Sequence, residues 1–134
     1  MSFKWNMRVY WEDTDAGGIV FYANYLKFFE RARTEWLRSL GFSQTTIRQE
    51  LGVIFIVSET SVRYLQPARL DDELSVTAHI EQAGRASLHF SQSIFRQASL
   101  LCKSSIRVAC VNADTLKPAR IPALIYELMN NKND

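Results

Sequence analysis

The sequence predicts an α+β domain. Three observations carry this. A strand-like alternation opens the chain, a long amphipathic stretch with helical spacing follows it, and after that come further apolar runs and period-two alternations punctuated by glycine, proline and paired aspartates.

The first strand is read over about Phe3 to Trp11, where odd positions are apolar and Lys4, Asn6, Arg8 and Glu12 take the other face. Asp13 to Tyr22 is a turn carrying Gly17 and Gly18. A helix is expected from about Ala23 to Leu40. Leu26, Phe29, Trp36, Leu37 and Leu40 form its stripe, and Tyr25, Phe28 and Ala32 widen it. So broad a stripe suits a helix embraced by a sheet. Gly41 is placed as its C-cap. Ser43 is placed to cap a short helix, Gln44 to Glu50, ending near Gly52.

Val53 to Val57 is a continuous apolar run that continues toward Leu65, until Pro67 and Asp71-Asp72 break it. Leu74, Val76, Ala78 and Ile80 then alternate with polar residues, as do Leu88, Phe90 and Ile94, and later Ile106, Val108 and Cys110. Ala83-Gly84-Arg85 is a hairpin turn. Pro118 and Pro122 bracket an exposed stretch before a last short helix, about Ala123 to Asn130.

With 134 residues and 47% hydrophobic content, the chain fits a single domain over 1–134. A net charge of +2 is too balanced to argue for nucleic acid, though it suits an anionic ligand such as a nucleotide phosphate. No apolar run reaches the length of a membrane span. Met1 to Tyr10 lacks the unbroken apolar core of a signal peptide. Cys102 and Cys110 fall on one strand, about 26 Å apart when extended, too far for a disulfide. A reducing, cytoplasmic context is the expectation.

The segment Glu12-Asp13-Thr14-Asp15-Ala16-Gly17-Gly18-Ile19-Val20-Phe21-Tyr22-Ala23-Asn24-Tyr25 sets carboxylates and glycines just before the helix. A helix start offers unpaired N–H groups and roughly half a positive charge, which can polarise a carbonyl and hold an oxyanion. A carboxylate beside it can attack that carbonyl or activate water. From the residues alone, either aspartate can equally serve an Asx turn or a cap. Asp13-x-Asp15 also suggests a metal pair, but no third ligand lies nearby in sequence.

Together with Leu26-Lys27-Phe28-Phe29-Glu30-Arg31-Ala32-Arg33 and Pro67-Ala68-Arg69-Leu70-Asp71-Asp72, that segment resembles the acyl-CoA thioesterases of the 4-hydroxybenzoyl-CoA thioesterase family. Within it, the chain is similar to the Tol–Pal-associated, YbgC-type group. The resemblance implies a hotdog fold, in which a curved antiparallel sheet of about five strands wraps a long central helix. It implies an acyl-CoA thioesterase that yields free acid and coenzyme A. Asp15 is then the nucleophile or general base, the Tyr22 backbone N–H the oxyanion donor, and Asp13 a structural residue. Gly17 and Gly18 let the backbone approach the substrate. Arg85 and Ser87, after the Gly84 turn, and Lys117 and Arg120, near the C-terminal turn, match coenzyme A-binding segments. No cofactor is implied, since coenzyme A belongs to the substrate. A homodimer or homotetramer is implied, with acyl carrier protein a possible second thioester carrier. Any contact with the inner membrane would run through partners. The chain departs from the group at Tyr22, where histidine is usual, and there resembles the aromatic-acyl branch; the acyl preference stays open. The Tyr22 side chain can pack with a wet hydroxyl or touch substrate.

Other readings use other residues. Glu30 or Glu35 on the helix would be an alternative acid, although Glu35 with Arg31 reads as an ion pair. A hairpin at Gly84 would set His79 opposite His89 on the polar face, where a pair can bind metal if a third ligand exists. A dehydratase wants a histidine at the helix start, and these two lie far downstream. The competing class is a non-catalytic acyl-CoA or acyl carrier protein binding or scaffold subunit linked to the Tol–Pal system; retention of the Asp15 turn argues against it.

Overall fold

The computed structural model describes residues 3–133. Met1 and Ser2, which head the segment read against a signal peptide, lie outside the described residues, as does Asp134. The elements are β1 (Phe3–Arg8), a 3-10 turn (Trp11–Asp13), α1 (Asn24–Ser39), α2 (Gln44–Thr46) running into a π turn (Ile47–Leu51), β2 (Val53–Tyr64), β3 (Glu73–Ala83), β4 (Ser87–Arg96), β5 (Ser99–Asn112) and α3 (Ala123–Asn133). The strands form one five-stranded sheet in the order β1-β3-β4-β5-β2, with every neighbouring pair antiparallel. The sheet curves around α1, which is the hotdog plan within the α+β class.

The burial pattern explains the wrap. Tyr25, Phe28, Phe29, Ala32, Trp36 and Leu37 are buried on α1. They face Leu74, Val76, Ala78 and Ile80 of β3, Leu88, Phe90 and Ile94 of β4, and Cys102, Ile106, Val108 and Cys110 of β5. Leu26, expected in the stripe, is instead 41% exposed. It stands about 100° around the helix from Tyr25, on the flank of the buried face.

β1 ends three residues before the expected Trp11. Past Arg8 the chain leaves the ladder: Val9 N–H donates to the Asp72 carbonyl, and Trp11–Asp13 coils with the Asp13 carboxylate accepting the Tyr10 N–H at 2.9 Å. Ser43 caps the following short helix through the Thr46 N–H. The stretch between Pro118 and Pro122 is not wholly exposed, because Ile121 is buried and its N–H donates to the Arg85 carbonyl at 2.7 Å.

The register corrects the histidine pair. The β3–β4 turn closes with Ala83 opposite Leu88 rather than centring on Gly84, and this sets His89 opposite Gln82 and His79 opposite Ser91. The bulge between Ile80 and Gln82 shifts the register back by one residue, which is too little to restore the pair. Both cysteines lie in β5, buried and free. No helix among the described residues is long and apolar enough to cross a membrane.

Candidate active site

The segment before α1 is a tight hairpin. The Asp15 N–H donates to the Ile19 carbonyl, the Gly18 N–H to the Asp15 carbonyl and the Phe21 N–H to the Asp13 carbonyl, each at 3.0 Å. Gly18 has φ +77°, a left-handed conformation that admits glycine without a steric penalty. Bridges Thr14–Val20 and Ile19–Arg69 tie the hairpin to the Pro67–Asp72 turn. At its tip the Asp15 side chain is exposed to solvent. One carboxylate oxygen, Oδ1, accepts the Gly17 N–H at 2.9 Å. Asp15 lines an open groove of about 470 Å³ together with Trp11, Thr14, Ala16, Gly18 and Leu70.

Two residues earlier the environment inverts. Asp13 is 4% exposed. Its oxygens accept the Tyr10 N–H at 2.9 Å and the Asn24 side-chain amide at 3.0 Å. Asp13 therefore joins the end of β1 to the first residue of α1, and both its oxygens are engaged.

The helix start is open. No side chain caps α1 at Ala23, and the one amide at its first residue, that of Asn24, is turned to Asp13. The Tyr22 N–H has no hydrogen-bond partner among the described residues. The Phe21 carbonyl of the same peptide unit accepts the Asn24 N–H at 2.8 Å, and the Tyr22 carbonyl, in the next unit, accepts the Tyr64 hydroxyl at 2.9 Å. The Tyr22 ring is 65% exposed and meets Tyr64 edge-on at 6.4 Å. Hence the ring projects from the site rather than filling the core.

Arg85 and Arg120 line one groove, with Ile121, Ala123, Tyr126 and Glu127. Neither Ser87 nor Lys117 lines it. Ser87 closes the β3–β4 loop by accepting the Gly84 N–H on its carbonyl. Lys117 holds the turn after β5 by accepting the Asn112 N–H on its carbonyl. This groove shares no lining residue with the Asp15 groove.

The helix carboxylates have local partners. Glu30 accepts the Thr34 hydroxyl at 2.7 Å. Glu35 pairs with Arg38 at 2.7 Å, one turn toward the C-terminus, and not with Arg31. No three His, Cys, Asp or Glu side chains cluster as a metal site among the described residues. Burial pushes the Cys102 thiol up to about 12 and the Cys110 thiol up to about 11. Neither is a thiolate near neutral pH.

Sequence reading missed a buried polar link. Gln92 is fully buried on the helix-facing side of β4. Its Oε1 accepts from Arg33 Nη1 at 2.9 Å, and its Nε2 donates to the Phe29 carbonyl at 3.0 Å and the Thr77 carbonyl at 3.1 Å. The signal was present: Gln92 interrupts the apolar alternation Leu88, Phe90, Ile94. Trp11, 82% exposed, and Leu70, 39% exposed, as walls of the Asp15 groove were also missed. Only their distance in sequence from one another hid that pairing.

Comparison with known proteins gives a consistent set of relatives. A model of the thioesterase-like superfamily matches residues 9–128. The acyl-CoA thioesterase YbgC of Haemophilus influenzae is 43% identical over 121 residues, 90% of this chain and 89% of that protein. The acyl-CoA thioester hydrolase YbgC of Escherichia coli O6:H1 is 44% identical over 124 residues, 92% of each. Among solved structures, a probable thioesterase from Bartonella henselae superposes with a TM-score of 0.88 at 32% identity, covering 91% of this chain and all of that one.

Proposed function

The chain belongs to the thioesterase-like superfamily and is an acyl-CoA thioester hydrolase; from that premise we propose that its reaction runs at the Asp15 hairpin. The observation that carries this is the Asp15 carboxylate, exposed in a groove with Oδ1 held by Gly17, one short hairpin from an uncapped helix start. The Gly17 N–H orients the carboxylate, and Oδ2 carries no hydrogen bond among the described residues.

In this reading the unpartnered Tyr22 N–H and the positive end of α1 receive the thioester oxygen as negative charge develops on it. Asp15 acts by one of two balanced routes. As base, it takes a proton from water, the hydroxide adds to the carbonyl carbon, and collapse expels the coenzyme A thiolate, which regains the proton. As nucleophile, it adds to the carbon, expels the thiolate and leaves a mixed anhydride that water then opens. One turnover in 18O-labelled water followed by mass analysis of the peptide carrying Asp15 separates the routes: label in the aspartate marks the anhydride opened at its aspartyl carbon, and trapping with hydroxylamine marks it opened at the acyl carbon.

Trp11 and Leu70 give the groove an apolar wall beside the acid, suited to an acyl or aryl group. Gly17 and Gly18 keep the approach free of side chains. Arg85 and Arg120 are the cations we assign to the coenzyme A phosphates, with Ser87 and Lys117 on the neighbouring turns. They lie in a separate groove, so a complete site calls for a second copy of the chain. The sheet supplies a route. Among the described residues β2 is an edge strand paired with β5 alone, and it exposes Ile56 at 42% and Val57 at 48%. The opposite edge, β1, is short and presents Lys4, Asn6 and Arg8 outward, a pattern that discourages pairing. A homodimer through β2 follows, and pairs of dimers give the tetramer. Two buried, reduced thiols favour a reducing compartment, the cytoplasm.

The test is thiol release from acetyl-, butyryl-, benzoyl- and palmitoyl-coenzyme A. Turnover of at least one substrate supports the assignment, and the preferred acyl group defines the pocket. Saturable binding of all four without thiol release would instead make the chain a binding subunit.

A further inference from the structure

Tyr64 is the last residue of β2, and its side chain reaches the start of α1. Its register partner is Cys102, which is buried in the core, so the Tyr64 ring also turns to the helix-facing side of the sheet. The ring meets Tyr25 with centroids 5.4 Å apart and Tyr22 at 6.4 Å, both edge-on. Tyr25 is itself anchored: it is buried, and its hydroxyl accepts the Ala68 N–H at 3.0 Å. From this braced ring the Tyr64 hydroxyl reaches the Tyr22 carbonyl at 2.9 Å. A carbonyl can only accept, so the hydroxyl is the donor. Donor and acceptor belong to one chain, so the bond needs no partner copy.

The bond fills an unusual place. In a regular α-helix the Tyr22 carbonyl would accept the Leu26 N–H. Here the Leu26 N–H donates to the Ala23 carbonyl at 3.2 Å and the Asn24 N–H to the Phe21 carbonyl at 2.8 Å, tight turns that reach back three residues. The Tyr22 carbonyl accepts no backbone N–H among the described residues, and the Tyr64 hydroxyl takes that place. Two N–H groups flank this carbonyl: that of Tyr22 itself, and that of Ala23, which shares its peptide unit. Neither has an acceptor among the described residues.

We propose that Tyr64 is a positioning residue for thioester hydrolysis: through the Tyr22 carbonyl, its hydroxyl holds these two N–H groups in line for the oxyanion of the transition state. The proposal rests on the reading that sets the reaction at the Asp15 hairpin. The bond acts in two ways. Pinning the carbonyl stops rotation of the Tyr22 backbone, which carries one N–H on each side. Accepting a hydrogen bond also polarises the peptide unit, so the Ala23 N–H becomes a stronger donor. Donors fixed before the reaction act most where charge develops, so the effect belongs to kcat rather than to substrate binding. Partial burial raises the pKa of the Tyr64 phenol, so it keeps its proton and stays a donor through neutral pH.

The experiment measures kcat and KM for the preferred acyl-coenzyme A with wild type, Tyr64→Phe and Asp15→Asn, together with the affinity of each for free coenzyme A. Tyr64→Phe keeps the ring and removes only the hydroxyl. Its kcat should fall about tenfold, the scale of one well-placed hydrogen bond, with KM, coenzyme A affinity and unfolding midpoint close to wild type. A second protein carries at position 64 a ring-fluorinated tyrosine, whose phenol gives up its proton near neutral pH. Its kcat should match or exceed wild type while the phenol is protonated. It should then drop to the Tyr64→Phe level as the phenol titrates, a limb that the wild-type pH profile lacks and that a purely structural ring would not create. Unchanged kcat in Tyr64→Phe, a loss confined to KM, or a fluorinated protein without the added limb would each overturn the proposal. The Asp15 reading fails separately, by an Asp15→Asn protein that keeps the wild-type rate. Should Tyr64→Phe fail to fold, the fluorinated protein, which retains both ring and hydroxyl, decides the matter.

Discussion

Asp13 and Asp15 are the same side chain two residues apart, yet their surroundings give them opposite work. Asp13 is buried with both oxygens accepting, so removing it leaves a buried N–H and an amide without partners. Asp13→Ala is expected to lower stability by about 2–3 kcal/mol, read as a shift in denaturant midpoint. The thiols give a second prediction at this scale. Burial raises the pKa of both cysteines, so the native protein should be inert to iodoacetamide at pH 8, and both thiols should label once it is unfolded. Fast labelling of either in the native state would show that β5 is open. Tyr25 follows the same physics: burial raises the pKa of its hydroxyl, which accepts the Ala68 N–H at 3.0 Å.

At the scale of elements, α1 does two jobs with its two ends. Its start is uncapped and faces the hairpin, whereas its middle is held by packing and by the Arg33–Gln92 link. Gln92→Leu removes an amide from a pair of backbone carbonyls and leaves Arg33 without the Gln92 acceptor. A loss of about 2–4 kcal/mol is expected in equilibrium unfolding, more than a polar-to-apolar swap on a core face would otherwise suggest. Ser43→Ala should lose about 1 kcal/mol from the cap of α2. The elements were legible because their periods differ: alternation in β3 to β5, a helical stripe in α1, and punctuation by glycine, proline and the Asp71-Asp72 pair between them. What was not legible is local accounting of hydrogen bonds. β1 stops at Arg8 because Val9 pairs with Asp72 and Asp13 folds back on Tyr10. The His79–His89 opposition fails because the β3–β4 turn closes with Ala83 opposite Leu88 instead of centring on Gly84. Neither event leaves a mark in hydrophobic spacing. The Asp15 turn was found from its residues and its likeness to a family, but the exposed Trp11 and Leu70 wall required the fold.

For the whole molecule, a sheet with one protected and one unprotected edge argues for assembly. β1 is short and edged with charge, while β2 is twice as long, an edge strand next to β5 and apolar at Ile56 and Val57. Val57→Lys should convert the assembly to monomers in sedimentation and, since the cationic groove and the acid lie apart in one chain, should raise KM for acyl-coenzyme A. A monomeric wild type would remove that account. The central claim is that Asp15 performs the chemistry. The direct measurement is kcat/KM for the preferred acyl-coenzyme A by wild type and Asp15→Asn, with folding of both shown by circular dichroism. A positioned acid–base group contributes about 10²–10⁴-fold, so a fall of that size with little change in substrate affinity is predicted; equal rates in the two proteins would contradict it and move the chemistry to another carboxylate, with Glu30 the next to replace.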